Sequence, residues 1–332
     1  MKTLLSTFVL LTALPCLAQK KPTAFQPEPI VPAGEILPLY PPDSPFLKME
    51  RIAEPEKYNT ATNNAKGAIT NVINIHNPSI EVHLVPNGPS NTGTAVIVAP
   101  GGGHKILWVG PEGGDYVPIF AKVGVSTIIL RNRLRIDGYE PTTDAVNDAF
   151  QAIRIVRAHA KEWHLDPAKI GMIGFSAGAE LSAPAALFYE DFDKKNDAAR
   201  DPLAGVSARP DFVGVIYPGP TPFTKFPETK IPSNVPPSFI ACAGAGDRVH
   251  ALWATDYYLP MLKASVPNVE MHIYGRGGHG VKREGPAGIP YGMWIDRYMD
   301  WFRDLGFLGK PGEETKAARE VAEYAKKAPS GQ

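Results

Sequence analysis

The 332-residue chain has only two cysteines, Cys16 and Cys242, and no excess charge of either sign, with 34 Lys+Arg against 34 Asp+Glu. A formal net charge of zero withholds the basic field that nucleic acid binding needs, and no nucleic-acid partner is expected. Metal-ligand spacings such as H-E-x-x-H or paired C-x-x-C are missing, so neither a metal nor another cofactor is expected. The apolar run from Leu4 to Leu14 is about half as long as a membrane-spanning helix requires, and no later stretch is longer. Internal repeats are absent. What remains is 44% hydrophobic and 20% charged, a composition that can bury a large core and excludes disorder across the whole chain.

Met1-Lys2, the apolar run, and Pro15-Cys16-Leu17-Ala18 supply the three parts of a secretory signal. Cleavage after Ala18 is expected, with a mature protein that is secreted or periplasmic and has no membrane attachment. A retained anchor and a lipid on Cys16 are the rivals; Pro15 is a poor residue for a lipoprotein cleavage site. Cleavage leaves Cys242 alone, which excludes an intrachain disulfide. Its place in the apolar run Ser238 to Ala243 predicts a thiol that packs as a small apolar side chain.

Four stretches follow from composition: a signal over residues 1–18, a proline-dense extension over 19–60, a folded domain over 61–308 and a charged tail over 309–332. Prolines 22, 27, 29, 32, 38, 41, 42 and 45 break helix and sheet ladders, which predicts an extended lead lying on the domain. Ile69 to His76 and Ile80 to Val85, separated by Asn77-Pro78, predict a hairpin entering a sheet. Short apolar runs at 94–99, 125–130, 169–174, 211–217, 238–243 and 269–274 have the pattern of parallel strands covered on both faces. Helical spacing appears at Ala145, Ala149, Ile153, Val156 and Ala160, again after Ser176 and His250, and over 293–305. Strand and helix alternate, so the expected fold is α/β with a doubly wound, mostly parallel sheet. Residues 313–327 predict a charged helix with a thin apolar stripe of Ala317, Val321 and Tyr324, read as a solvated tail.

Gly174-Phe175-Ser176-Ala177-Gly178 follows a predicted strand and precedes a predicted helix, the setting that makes this pentapeptide a nucleophile elbow. A serine hydroxyl needs an imidazole to take its proton, and the imidazole needs a carboxylate to hold its tautomer. Strand 238–243 runs into Gly244-Ala245-Gly246-Asp247, and strand 269–274 into Gly275-Arg276-Gly277-Gly278-His279-Gly280. Asp247 and His279 therefore complete the candidate set, with His250 as the competing imidazole. Pro100-Gly101-Gly102-Gly103-His104 follows strand 94–99. The expected oxyanion donors are the backbone N–H groups of Ala177 and of Gly102 or Gly103, because side chains there do not block approach. Gly275, Gly277 and Gly280 also satisfy G-x-G-x-x-G, but no helix opens after them, which argues against a dinucleotide site.

Taken in order, Pro100-Gly101-Gly102-Gly103, Arg133-Leu134, Asp144, Asp166-Pro167, the elbow, Asp247 and Gly278-His279-Gly280 resemble an α/β-hydrolase. Over roughly residues 90–308 the chain is similar to secreted acetyl-xylan-esterase-like carbohydrate esterases, including the bifunctional feruloyl and acetyl xylan type. The resemblance implies a cofactor-free serine esterase acting on acylated carbohydrate. Three departures stand out. Ala179-Glu180 replaces the usual glycine and histidine after the elbow, His104 replaces an aromatic, and Val281-Lys282-Arg283-Glu284 replaces a short aromatic turn. His104, Glu180, Lys282 and Arg283 are thus candidate substrate contacts, Glu180 also a candidate for a local cation, and Lys282 with Arg283 for an anionic sugar. Trp108, Phe223 and Phe226, the last two in the 218–237 insertion, are candidate pocket walls. The rival readings are a serine peptidase of the prolyl-oligopeptidase type, for whose extra domain the chain has no room, and an inactive binding module. A binding module has no physical reason to retain Ser176, Asp247 and His279 together.

Overall fold

A computed structural model describes residues 23–61, 68–195, 201–280 and 290–327. Its strands are β1 (Glu35–Pro38), β2 (Lys57–Thr60), β3 (Ile69–Ile73), β4 (Ser79–His83), β5 (Ala95–Ala99), β6 (Ser126–Arg131), β7 (Ile170–Phe175), β8 (Val213–Ile216), β9 (Ser238–Ala243) and β10 (Val269–Tyr274). The helices are α1 (Val117–Ala121), α2 (Val146–Ala158), α3 (Ala179–Leu187), α4 (Tyr189–Lys194), α5 (Pro222–Lys225), α6 (Arg248–Lys263), α7 (Trp294–Leu305) and α8 (Lys316–Lys327).

Eight strands form one sheet in the order β1-β4-β6-β5-β7-β8-β9-β10. The first three pair antiparallel, and every pairing from β6 to β10 is parallel. Every residue of β5, β6, β7, β8 and β9 is buried, as continuous apolar runs between helical layers require. Alternation sorts the side chains of β5: Val96 and Val98 join the core under α6 and α7, while Ala95, Ile97 and Ala99 join the core under α2. Because the central strands all run the same way, their carboxyl ends and the loops that follow β5, β7, β9 and β10 gather along one rim.

Three expectations change. The proline-dense lead does not merely lie on the domain: Glu35–Pro38 becomes the edge strand β1, paired with β4. Its approach is held by the Glu81 carboxylate, which accepts from Ile30 N–H at 2.7 Å and Val31 N–H at 2.9 Å and pairs with the buried Arg131. The expected hairpin is absent, since β3 pairs with β2 in a separate two-stranded sheet while β4 enters the main one. Asn74, at φ +64, turns the chain between them. The charged tail helix docks through its thin stripe, with Ala317 and Val321 buried and Lys316 Nζ 2.8 Å from Asp304 on α7. The signal at 1–18 lies outside the described residues, among which no helix is long and apolar enough to cross a membrane.

Candidate active site

The nucleophile candidate stands where β7 ends. Ser176 adopts φ +50, a left-handed conformation uncommon for a residue with a side chain. Strain of this kind persists where the surroundings impose it, and here the glycines allow the turn to be that tight. A Cβ on Gly178 would lie 2.0 Å from the Ala99 carbonyl oxygen, and one on Gly174 would lie 2.2 Å from that of Gly178. With both positions bare, the turn packs against the end of β5 and lifts the Ser176 hydroxyl to the rim.

Asp247 follows β9 and His279 follows β10, and the parallel pairing of those strands brings their loops side by side. Gly246 makes the contact possible, since a Cβ there would meet the Gly277 carbonyl oxygen at 1.7 Å. Ser176 Oγ is 2.9 Å from His279 Nε2, and His279 Nδ1 is 2.8 Å from Asp247 Oδ2. A carboxylate only accepts, so Nδ1 carries the imidazole proton and Nε2 is left to accept from the serine. Asp247 is 7% exposed, and its second oxygen, Oδ1, is 2.5 Å from Nδ1 of His250. The two imidazoles stack with centroids 3.8 Å apart and planes inclined by 28°. This trio is the one grouping among the described residues close enough to share a metal ion, but its carboxylate oxygens and Nδ1 atoms are engaged with one another. Its geometry is that of a hydrogen-bonded relay.

The glycine loop after β5 lies against the elbow. Gly102 and Gly103 have φ of +131 and +63, and His104 follows at +58. Gly101 N–H is already taken: it donates to Glu112 Oε2 at 2.6 Å. The loop's candidate oxyanion donors are thus Gly102 and Gly103, to act together with Ala177 at the first turn after the serine. Glu112 was not legible in the sequence. Its other oxygen accepts from Tyr217 Oη–H at 2.9 Å, and the Tyr217 ring meets His279 edge-on at 5.2 Å. Burial pushes the Glu112 carboxyl above its ordinary value, against the lowering effect of Gly101 N–H, Tyr217 and His279. The signal for it, a lone acid in Pro111-Glu112-Gly113-Gly114, is indistinguishable from an ordinary turn.

The substrate-contact candidates separate. His104 is 5% exposed and its Nε2 is 3.4 Å from Glu180 Oε1, while Glu180 Oε2 accepts from Lys225 Nζ at 2.7 Å. Burial alone would raise the Glu180 carboxyl, but His104 and Lys225 carry it below its ordinary value. Its charge is therefore matched inside the protein, which leaves little for a free cation. Glu180 and Lys225 border a cleft of about 420 Å³, open space included, whose other walls include Pro141, Pro184, Phe188 and Phe226. Phe226 is half exposed there, and Trp108, 40% exposed, stands beyond the glycine loop with its N–H on the Gly101 carbonyl. Phe223 is not a wall: it is buried against Tyr257 at 6.0 Å, because α5 turns it inward under α6. Lys282 and Arg283 lie outside the described residues. Cys242 is fully buried, and burial pushes its thiol up to about 12, which leaves it inert.

Residues 88–240 match the family model described as BD-FAE. An acetylxylan esterase of Xylanibacter ruminicola is 36% identical over 102 residues, 31% of this chain and 20% of that protein. Endo-1,4-beta-xylanase B of Butyrivibrio fibrisolvens is 28% identical over 124 residues, 37% of this chain and 19% of that protein. The chain thus spans about a fifth of the length of the curated relatives it matches. Among solved structures, the acetyl ester-xyloside bifunctional hydrolase of Caldicellulosiruptor lactoaceticus superposes with a TM-score of 0.65 at 25% identity, covering 84% of this chain and 99% of that one. Thermogutta terrifontis esterase 2 shares the fold at 20% identity, with a TM-score of 0.57 over 78% of this chain and 95% of that one. With its mostly parallel eight-stranded sheet and the elbow at the end of β7, the chain has the α/β-hydrolase fold and is similar to the BD-FAE family and to acetylxylan esterases.

Proposed function

We propose that the chain is a secreted serine esterase that removes acyl groups, acetyl foremost, from the hydroxyls of a polysaccharide or oligosaccharide. Ser176 Oγ attacks the ester carbonyl while its proton passes to His279 Nε2. Asp247 holds the imidazole and balances its charge, and the N–H groups of Ala177 and Gly102 or Gly103 receive the developing oxyanion. Collapse breaks the bond to the sugar oxygen, which leaves with the proton from His279. Water then gives a proton to His279 and attacks the acyl-enzyme, releasing the carboxylic acid and restoring the serine.

The observation that carries this reading is the unbroken hydrogen-bonded path from Ser176 through His279 to Asp247, placed beside the glycine loop. Acetyl preference and a carbohydrate alcohol rest on the similarity to an acetylxylan esterase and to an acetyl ester-xyloside hydrolase. Secretion rests on the leader at 1–18, and His104, Trp108, Glu180, Lys282 and Arg283 remain the proposed contacts to the sugar.

The test is purified protein on p-nitrophenyl esters of graded acyl length and on acetylated xylan. Preference for acetate together with acetate release from the polymer supports the reading; turnover of peptide amides without ester hydrolysis rejects it.

A further inference from the structure

Asp247 is the residue before the first turn of α6, where an aspartate ordinarily accepts from the backbone N–H groups of that turn. It makes no such bond. Both carboxylate oxygens go instead to imidazoles, Oδ2 to His279 and Oδ1 to His250. His250 is the third residue of α6, so its ring reaches back over the carboxylate as a capping side chain would. Trp253 meets the His250 ring in a T-shaped contact at 5.1 Å, and His279 stacks on it at 3.8 Å.

We propose that His250 is a positioning residue: by donating Nδ1–H to Asp247 Oδ1 it locks the carboxylate with Oδ2 on His279 and takes up part of its accepting power. Without that donor the carboxylate keeps His279 as its partner but is no longer held in one rotamer, so the imidazole is aligned with Ser176 for only part of the time. A carboxylate that served His279 alone would hold the imidazolium more tightly and make a base that titrates higher. His250 prevents both. The charged and titratable groups around the pair are Asp247 at the Nδ1 edges of both rings, Glu180 facing His250 from α3, and Glu112 and Tyr217 facing His279 from the loops after β5 and β8. Burial holds His250 below its ordinary value, which favours the neutral, donating form.

The inference rests on the esterase reading for its kinetic arm, and a second arm is independent of any substrate. In full-length protein, His250→Ala removes the donor, whereas His250→Asn places an amide N–H close to where Nδ1 stands. His250→Ala is expected to raise the titration midpoint of the His279 ring, followed by imidazole NMR, and to move the acid limb of kcat/KM on p-nitrophenyl acetate upward with it. At the wild-type pH optimum kcat falls about tenfold with KM unchanged, a part of the roughly 10²–10⁴-fold that a fully aligned general base contributes. His250→Asn restores the midpoint and most of kcat. Equal behaviour of the two variants, or an unmoved His279 midpoint in His250→Ala, overturns the proposal. Loss of all turnover in His250→Ala with turnover retained in His279→Ala would make His250 the base and overturn it too. A shifted midpoint in a protein that hydrolyses no ester would instead remove the esterase reading and leave the positioning role standing.

Discussion

Glu112 ties the glycine loop to Tyr217 at the end of β8, and Glu112→Ala cuts both ties at once. Gly101 N–H and Tyr217 Oη–H lose their acceptor, and Gly101 is buried while Tyr217 is 1% exposed. A buried donor left without a partner costs about 1–3 kcal/mol, so the two together set a range of about 2–6 kcal/mol. Two effects pull toward the lower end. The carboxyl no longer has to be buried, and the space it leaves is polar enough for a water to bridge the two donors. The expected loss is about 2–3 kcal/mol, read as a lower urea midpoint at an unchanged slope. Activity should suffer more than stability. Gly101 precedes the candidate oxyanion donors directly, and loss of one such donor lowers kcat by about 10²–10³-fold on an acetyl ester. Glu112→Gln keeps the volume and an acceptor for Gly101 N–H, and should fall between wild type and alanine in both assays. Unfolding of Glu112→Ala at the wild-type urea concentration with kcat unchanged would refute the role given to this carboxyl.

Gly178→Ala forces a Cβ to within 2.0 Å of the Ala99 carbonyl and must displace the elbow; about a hundredfold loss of kcat is expected in whatever protein folds, measured on p-nitrophenyl acetate. Asp148 is fully buried and accepts from the Arg133 backbone N–H, Nε and Nη2 at 2.7–3.1 Å. Asp148→Ala should lower stability by about 3–5 kcal/mol by stranding the guanidinium, again read from urea unfolding. Because burial raises the Glu112 carboxyl in the folded state, its contribution to stability is complete below the ordinary carboxyl range and declines as pH rises through the raised folded value. Glu112→Gln should remove that part of the decline above the ordinary carboxyl range, and an identical stability profile for the two proteins would count against the shift.

Much of the candidate site is legible in the sequence because each member stands next to a glycine turn after a strand. Ser176 and Asp247 follow buried, continuous apolar runs, a period-free signal strong enough to place their ends, and His279 follows β10, a partly exposed outer strand carrying Glu270 and His272 that pairs parallel with β9. The remainder depends on contacts between distant segments, which spacing does not encode. Glu112 is recognisable only once Gly101 and Tyr217 are seen against it. The partner of β3 is the strand before it, β2, and not β4 across Asn77-Pro78, and proline density hides β1, whose pairing with β4 is anchored by the Glu81 and Arg131 side chains. Phe223 and Phe226, three residues apart, read alike as pocket walls, yet the single turn of α5 buries one and exposes the other. The helix at 316–327 looks solvated because its apolar stripe is narrow, yet Ala317 joins the core that includes α7 and Tyr324 packs against it.

The most direct measurement is intact-mass and peptide mapping of the protein quenched in acid during turnover of p-nitrophenyl acetate. One acetyl group on the peptide that contains Ser176, absent from Ser176→Ala, is the predicted result. Undiminished acetate release by Ser176→Ala, or an acetyl group carried on another residue, would contradict it.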